Sequence, residues 1–375
     1  MAVTSSVAGR SVSAPARAAW LDVFRGLTMA AMVVVNNPGD WNNVYWPLLH
    51  SKWDGWTPTD LVFPFFLFIV GVSITLSRRS ASWGSILRRG TLIVVIGWLL
   101  ALYPSFDFAH LRIPGVLPRI GVCYLFAAAF YKLTASRRDQ GRWMVIAAVT
   151  LCVVYWLIMT QVPNPAGVRG DLTPEGNWGA YIDRALFSGH LWANSKTWDP
   201  EGLLGTIPAI ATPLLGIAAG LWLRTERSAG EKAAALAAAG VLAVAIGYAW
   251  NPFFPINKAL WSSSFVFLTA GFAAILLALL VRFPLPAPIA RPFVILGVNA
   301  IALYAAAALL EETMIHFTVT GAGGQAVTLG EWVFAHGFAP FAPPKIASLG
   351  YAVANLVVLF ALLAWMYRRR IFLRV

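Results

Sequence analysis

Leu61-Val-Phe-Pro-Phe-Phe-Leu-Phe-Ile-Val-Gly-Val-Ser-Ile-Thr-Leu76 is the stretch that decides the fold class. No charged residue interrupts it between Asp60 and Arg78. Because about 20 apolar residues cross a bilayer as a helix, the window 58–77 predicts a transmembrane helix. Nine more windows meet the same criterion: 20–38, 90–104, 117–133, 143–161, 202–223, 233–250, 261–281, 292–310 and 346–367. We therefore predict an all-α, polytopic membrane protein of about ten transmembrane helices, the third of them short.

The composition excludes a large soluble globule. Apolar residues make up 59% of the 375 residues, charged residues only 12%, and the mean hydropathy is +0.69. Soluble proteins are about half apolar and about one quarter charged, so this chain has too few charges to cover a water-facing surface. The net charge of +12 lies in the gaps between apolar segments, and no basic run is interleaved with aromatic residues. We expect membrane lipid, and no nucleic acid, as a partner.

The distribution of positive charge predicts the topology. When the loops are assigned alternately to two sides, 20 of the 28 lysines and arginines fall on one side and 8 on the other. The positive-inside rule makes the first side cytoplasmic, together with both termini. The predicted parts are a cytoplasmic tail at 1–19 with no cleaved signal, a membrane domain at 20–367 and a basic cytoplasmic tail at 368–375.

The opposite side carries the distinctive chemistry. It holds the long loops 162–201 and 311–345, and long loops often carry function. It also holds all five histidines of the chain: His50, His110, His190, His316 and His336. The two cysteines, Cys123 and Cys152, both lie in apolar stretches, so no disulfide framework and no metal site is expected.

The segment Trp53-Asp-Gly-Trp-Thr-Pro-Thr-Asp60 is typical of a helix start. Thr57 can cap the helix, Pro58 suits its first position, and Asp60 falls at its third position. Asp60 is therefore predicted to be a capping carboxylate, which can also orient a neighbouring side chain. Trp53 belongs to a cluster of aromatic residues that indicates either an interfacial belt or stacking on sugar rings.

His50, in the loop after the first predicted helix, and the Asp22 and Arg25 pair within that helix each allow two interpretations. His50 is either structural or catalytic, since an imidazole titrates near neutral pH and can act as a base or as a nucleophile. Asp22 and Arg25 are three residues apart and can form an ion pair on one helix face. Alternatively, Arg25 faces a phosphate group.

Several motifs together resemble the heparan-α-glucosaminide N-acetyltransferase family. They are Asp22-Val-Phe-Arg-Gly, Val35-Asn36, His50-x-x-Trp53-Asp-Gly, Asp60-Leu-Val-Phe-Pro, Asp199-Pro-Glu-Gly-Leu-Leu-Gly-Thr-Ile-Pro, Pro255-Ile-Asn-Lys-Ala-Leu-Trp-Ser-Ser-Ser and Gly297-Val-Asn-Ala. The resemblance implies that 20–367 is a transmembrane acyltransferase domain. It implies transfer of acetyl from cytoplasmic acetyl-CoA to a glucosamine-type amino sugar on the outer side, with His50 as the active-site histidine and Asn36 as its polar neighbour.

With this resemblance, each candidate residue receives a predicted role. His50 is the base or acyl carrier, Asn36 donates a hydrogen bond to the oxyanion, and Asp60 orients the imidazole, a role that Asp54 could also fill. The predicted donor site consists of Asp22, Arg25 and Asn299. The predicted acceptor site consists of Trp53, Asp54, Asp199, Glu201, Asn257, Lys258 and Trp261.

Two other functions compete with the acetyltransferase. An amino-sugar transporter, of the N-acetylglucosamine type, fits the aromatic and polar groups, although transporters often contain internal repeats and none is visible. A structural protein of the envelope would not need His50.

The resemblance to bacterial members predicts a bacterial inner membrane location with the active-site loop facing the periplasm or exterior. The sequence leaves three questions open: which sugar is the acceptor, whether transfer is direct or passes through an acetyl-histidine intermediate, and whether the protein forms a homodimer.

Overall fold

The structure is a computed structural model that describes residues 19–77, 82–321 and 324–373. Within these residues the chain forms thirteen α-helices and one small hairpin. The helices are α1 Ala19–Asn36, α2 Val62–Leu76, α3 Trp83–Leu102, α4 Val116–Leu133, α5 Gln140–Gln161, α6 Trp178–Phe187, α7 Thr206–Leu223, α8 Ala229–Trp250, α9 Ser263–Arg282, α10 Ala287–Val298, α11 Ala300–His316, α12 Leu329–Gly337 and α13 Pro344–Arg368. The strands β1 Thr318–Thr320 and β2 Ala326–Thr328 pair antiparallel.

The described part of the chain contains nine helices that are long and apolar enough to cross a membrane. They are α1, α2 with the 3-10 turn Pro58–Leu61 ahead of it, α3, α4, α5, α7, α8, α9 and α13. The pair α10 and α11 meets the same criterion together but bends by 75° at its break, which allows up to ten spans. The predicted fold class, an all-α polytopic membrane protein of about ten helices, is confirmed.

Two predicted spans were wrong in detail. The third begins at Trp83 and is 20 residues long. The predicted window was short because it started after Arg88 and Arg89, whereas the helix includes both residues. Arg89 places its guanidinium 4.8 Å from the ring centroid of Tyr124, so the helix accommodates this charge. The span predicted at 292–310 is two helices that meet at Asn299.

Close backbone contacts hold the helices together. A Cβ atom on Gly26 of α1 would collide with the backbone carbonyl of Phe293 in α10. In the same way, a Cβ on Gly216 of α7 would collide with the carbonyl of Phe68 in α2. Helices that lack a hydrophobic driving force between them gain packing energy where small residues allow such an approach. These contacts fix α1 and α2 beside their partners, and both helices border the site described below.

Loops from distant parts of the sequence converge at the end of the bundle where α1 ends. Gly55 donates its backbone N–H to Ile256, Trp53 donates its indole N–H to the carbonyl of Leu172, and Ile113 donates to His190. The last described residues lie against the junction of α10 and α11, because Asn299 donates to the carbonyl of Ile371 and accepts the N–H of Leu373. Except for Ala19, the predicted tail 1–19 lies outside the described residues, as do 374 and 375.

Candidate active site

A cavity of about 500 Å³ opens between α1, α2, α4 and α11 beneath the converging loops. Its loop end is polar, and its walls become apolar toward the middle of α1. The polar end is lined by Asn36, His50, Ser51, Lys52, Trp53, Asp60, Arg112, Trp192, Trp198, Glu201 and Lys258. The apolar part is lined by Met29, Met32, Val62, Phe63, Phe66, Val116, Ile120 and Tyr304. A cavity of this size and composition is typical of a binding site for an organic molecule.

His50 presents its imidazole to the polar end of this cavity. Its side chain is 43% exposed, and its Nδ1 lies 2.7 Å from Oδ1 of Asp60. Because a carboxylate accepts hydrogen bonds, this contact requires the proton on Nδ1. The lone pair of the neutral imidazole is then on Nε2, which leaves that atom able to accept a proton.

Asp60 is held in place by the start of the helix that contains it. The carboxylate is fully buried, and its Oδ2 accepts the backbone N–H groups of Thr57 at 2.9 Å and Ser51 at 3.1 Å. Thr57 and Asp60 form the capping box that the sequence predicts, with Pro58 at the first position. A single carboxyl group therefore caps the helix and contacts His50, while its role in orienting the imidazole stays a prediction.

Lys258 also contacts the imidazole. Its Nζ lies 3.0 Å from Nδ1 and 3.2 Å from Nε2 of His50, and 3.8 Å from Oδ1 of Asp60. Burial lowers the pKa of Lys258, while the charges of Asp60 and Glu201 act in the opposite direction. The predicted acceptor residue Lys258 is thus directly beside the predicted base.

Asn36 is the last residue of α1 and lines the cavity with an exposed side chain. Asn37, the next residue, turns its amide back to the carbonyl of Val33 and so ends the helix. Asn36, and not Asn37, therefore lies at the polar end of the cavity. The predicted role of Asn36 as a hydrogen-bond donor stays a prediction.

Three of the predicted acceptor residues support the loop that carries Lys258. Asn257 is fully buried, donates to Asp54 at 3.2 Å and accepts the N–H of Leu260 at 2.8 Å. Trp261 is also fully buried and has a φ of +52°, a strained value for a bulky residue. Asp54, Asn257 and Trp261 are absent from the cavity lining. They hold Lys258 in position from behind.

Arg112, which the sequence analysis missed, binds two predicted acceptor residues. It contacts Asp199 through two hydrogen bonds of 2.8 and 2.6 Å and Glu201 through one of 2.6 Å. Burial alone would lower the pKa of Arg112, but the two carboxylates raise it above its usual range. Glu201 lines the cavity, whereas Asp199 lies behind it. The only sequence signal for Arg112 was its position among the few basic residues of the outer side.

Three tryptophans form one wall of the polar end. The ring of Trp198 lies edge-on to Trp53 at 5.2 Å and to Trp192 at 6.0 Å between centroids. Trp53 was predicted as an acceptor residue, while Trp192 and Trp198 were not singled out. Aromatic side chains of this kind offer flat apolar faces next to polar groups.

The predicted donor residues lie away from the cavity lining. Arg25 donates from Nη1 to the carbonyl of Gly297 at 3.1 Å and lies 3.4 Å from Asp22. Asn299 is fully buried and holds the backbone of Ile371 and Leu373 at 2.9 and 3.1 Å. All three stabilise the break between α10 and α11. Their contact with a donor stays a prediction.

In the described ranges 19–77, 82–321 and 324–373, no group of three or more His, Cys, Asp or Glu side chains could hold a metal ion.

Comparison with known proteins identifies the family. Residues 17–247 match the family model described as "Heparan-alpha-glucosaminide N-acetyltransferase, catalytic", a range that contains His50, Asp60 and Arg112 but not Lys258. The chain is 33% identical to heparan-alpha-glucosaminide N-acetyltransferase of Mus musculus, over 78% of this chain and 53% of that protein. It is 32% identical to the Homo sapiens protein of the same name, over 77% of this chain and 52% of that protein.

The chain spans about half the length of these curated relatives. The match to the family model nevertheless covers more than half of this chain, and the two relatives agree with it. The protein belongs to the heparan-alpha-glucosaminide N-acetyltransferase catalytic family.

Proposed function

We propose that the protein is a transmembrane N-acetyltransferase that moves an acetyl group from acetyl-CoA to the amine of a glucosamine-type amino sugar. The observation that carries the proposal is the His50–Asp60 pair, 2.7 Å apart, at the polar end of a cavity between helices that are apolar enough to cross a membrane. An imidazole oriented by a buried carboxylate is suited to general base or nucleophilic catalysis. The names of the relatives support the same reaction class.

The reaction follows from the hydrogen bonding of His50. Asp60 accepts the Nδ1 proton, so Nε2 removes a proton from the sugar amine as that nitrogen attacks the thioester carbonyl. The new C–N bond forms, the C–S bond breaks, and the CoA thiolate takes a proton. Asn36 donates a hydrogen bond to the oxyanion that develops on the carbonyl. In the alternative route, Nε2 first accepts the acetyl group and then passes it to the amine.

The polar end of the cavity suits an amino sugar. Trp53, Trp192 and Trp198 provide aromatic faces for a sugar ring, and the carboxylates of Asp60 and Glu201 attract an ammonium group. Arg112 and Lys52 at the same end suit hydroxyl groups or a second, negatively charged part of a glycan.

The apolar part of the cavity suits the pantetheine arm of the donor. Between Asn36 and Thr28, both of which line the cavity, α1 rises by about 12 Å. Arg25 lies about one helical turn from Thr28, on the side away from Asn36. A phosphate group of CoA would lie there if the pantetheine arm followed α1. In this arrangement acetyl-CoA approaches from the basic, cytoplasmic side and the acceptor from the side of the loops. The family assignment does not favour the alternative of an amino-sugar transporter.

Purified protein in lipid nanodiscs tests the proposal directly. With acetyl-CoA and glucosamine, we expect formation of N-acetylglucosamine and free CoA in equal amounts, measured by mass spectrometry and by a thiol reagent. Mannosamine and heparan-derived disaccharides with a free amine, run in parallel, define the acceptor. If none of these amines is acetylated while glucosamine is transported into sealed vesicles, the transporter replaces the enzyme.

Cysteine labelling tests the proposed sidedness. The two native cysteines are buried and should give little background with a membrane-impermeant thiol reagent. In intact cells we expect labelling of Ser195→Cys, in the loop that follows α6, and none of Arg370→Cys, after α13. Both should react after permeabilisation. The reverse pattern in intact cells would invert the topology and place the donor on the other side.

A further inference from the structure

Lys258 places a primary amine at the position that the reaction requires for its acceptor. Its Nζ lies within 3.0 and 3.2 Å of the two ring nitrogens of His50 and 3.8 Å from the carboxylate of Asp60. A glucosamine-type acceptor must bring the same functional group to the same base. We propose that Lys258 is a self-acetylation site, acetylated on Nζ when acetyl-CoA binds in the absence of an acceptor. The inference rests on the proposed acetyltransferase activity.

The loop between α8 and α9 fixes the backbone of Lys258 and leaves its side chain directed into the cavity. The carbonyl of Lys258 accepts the N–H of Trp261 at 3.0 Å, and Asn257 is tied to Leu260 and to Asp54. The side chain is only 20% exposed and lines the cavity. The amine is therefore held beside His50 by the fold, and a bound thioester would meet it at short range.

The surroundings of Lys258 favour a reactive amine. Only the neutral form of an amine can attack a carbonyl carbon, and burial lowers the pKa of Lys258 and so enlarges the neutral fraction. The charges that face it are those of Asp60, Glu201 and Arg119. The two carboxylates oppose the effect of burial, while Arg119 adds to it.

The chemistry balances without a further reactant. Nζ attacks the thioester carbonyl, a C–N bond forms and the C–S bond breaks. The proton that Nζ loses goes to Nε2 of His50 and then to the CoA thiolate. The products are a neutral acetyl-lysine and free CoA. Because an amide does not donate its acetyl group as a thioester does, the acetamide stays next to His50, removes the positive charge beside Asp60 and blocks the acceptor position.

Isotopic labelling tests the inference on the full-length protein in nanodiscs. Acetyl-CoA with a trideuterated acetyl group is added without acceptor, and the mass of each lysine-containing peptide is followed over time. We expect the label at Lys258. Lys52 is the matched control within the same molecule, since it lines the cavity but is exposed and has no contact with His50 among those described. We expect His50→Ala to lower labelling of Lys258 by about a hundredfold or more, the usual contribution of a positioned base.

Two further measurements follow from the same geometry. Glucosamine should protect Lys258 from the label, because both amines need the same position beside His50. Incubation with acetyl-CoA alone should reduce the subsequent turnover of the wild type with time, whereas Lys258→Arg should keep its own starting turnover.

The outcomes separate the inference from the proposed function. Acetylation of glucosamine with no label at Lys258, or with equal label at Lys52 and Lys258, overturns the self-acetylation site and leaves the acetyltransferase standing. Equal labelling of Lys258 in the wild type and in His50→Ala shows uncatalysed chemistry and also overturns it. If neither glucosamine nor Lys258 is acetylated, both the proposed function and the inference fail.

Discussion

His50→Ala is expected to abolish acetyl transfer, with a loss of kcat of about 10²–10⁴-fold or more. The side chain faces the cavity and its ring nitrogens contact Asp60 and Lys258. Its removal therefore deletes the base without opening a hole in the apolar core. We expect thermal stability and acetyl-CoA binding, measured by calorimetry, to stay close to the wild-type values.

The chain offers a matched control for His50. His110 forms a second histidine–aspartate pair, with Asp107 at 2.7 Å, but the pair is exposed at the surface and does not line the cavity. His110→Ala should keep normal turnover. Near-normal turnover of purified His50→Ala would remove His50 from catalysis and leave its contact with Asp60 as a structural feature.

Asp60→Asn is expected to lower kcat by about 10²–10⁴-fold, because an amide does not hold the imidazole in the required tautomer as the carboxylate does. The variant keeps the size of the side chain, and an amide oxygen can still accept from the backbone of Thr57. The Michaelis constant for acetyl-CoA should change little, since Asp60 orients His50 and lies at the polar end of the cavity.

Two variants separate orientation of His50 from helix capping. Thr57→Ala removes a hydroxyl that donates to the carbonyl of Leu49 and, at 3.2 Å, to Oδ2 of Asp60, but it keeps the carboxylate and its contact with His50. It should lower stability by about 1 kcal/mol and lower kcat far less than Asp60→Asn does. Asp54→Asn alters the other carboxylate of the loop, which binds Asn257 and not His50. We expect a loss of less than about tenfold for Asp54→Asn, in contrast to the loss from a misplaced catalytic group. If Asp60→Asn lowered only the melting temperature, Asp60 would be a cap and nothing more.

The sequence was enough to predict the capping carboxylate of Asp60, with a neighbouring side chain within its reach, for a local reason. Thr57, Pro58 and Asp60 are neighbours, and a helix start needs partners for its free N–H groups. His50 is only ten residues away, and the hydrogen bonds from Ser51 and Thr57 to the same carboxylate close the loop between them. Short-range hydrogen bonding of this kind depends on few degrees of freedom, so residue types and spacing were enough.

Only some of the residues predicted for the acceptor site line the cavity. Lys258 was selected because it lies at the outer end of a predicted helix, and its Nζ lies 3.0 Å from Nδ1 of His50. Asn257 and Trp261, selected for the same reason, are fully buried behind it. Which side of a loop faces a cavity depends on how that loop packs against other loops, and the sequence pattern around 255–264 contains no such information.

The sequence by itself determined the membrane class, the approximate spans and the family, because hydropathy is summed along the chain and needs no knowledge of contacts. Only the tertiary structure decided that Lys258 meets His50 across 208 positions, that Arg112 binds Asp199 and Glu201, and that a span breaks at Asn299. Buried charges must be compensated wherever helix packing brings them together. The partner that compensates each charge is therefore chosen by the three-dimensional arrangement of the helices.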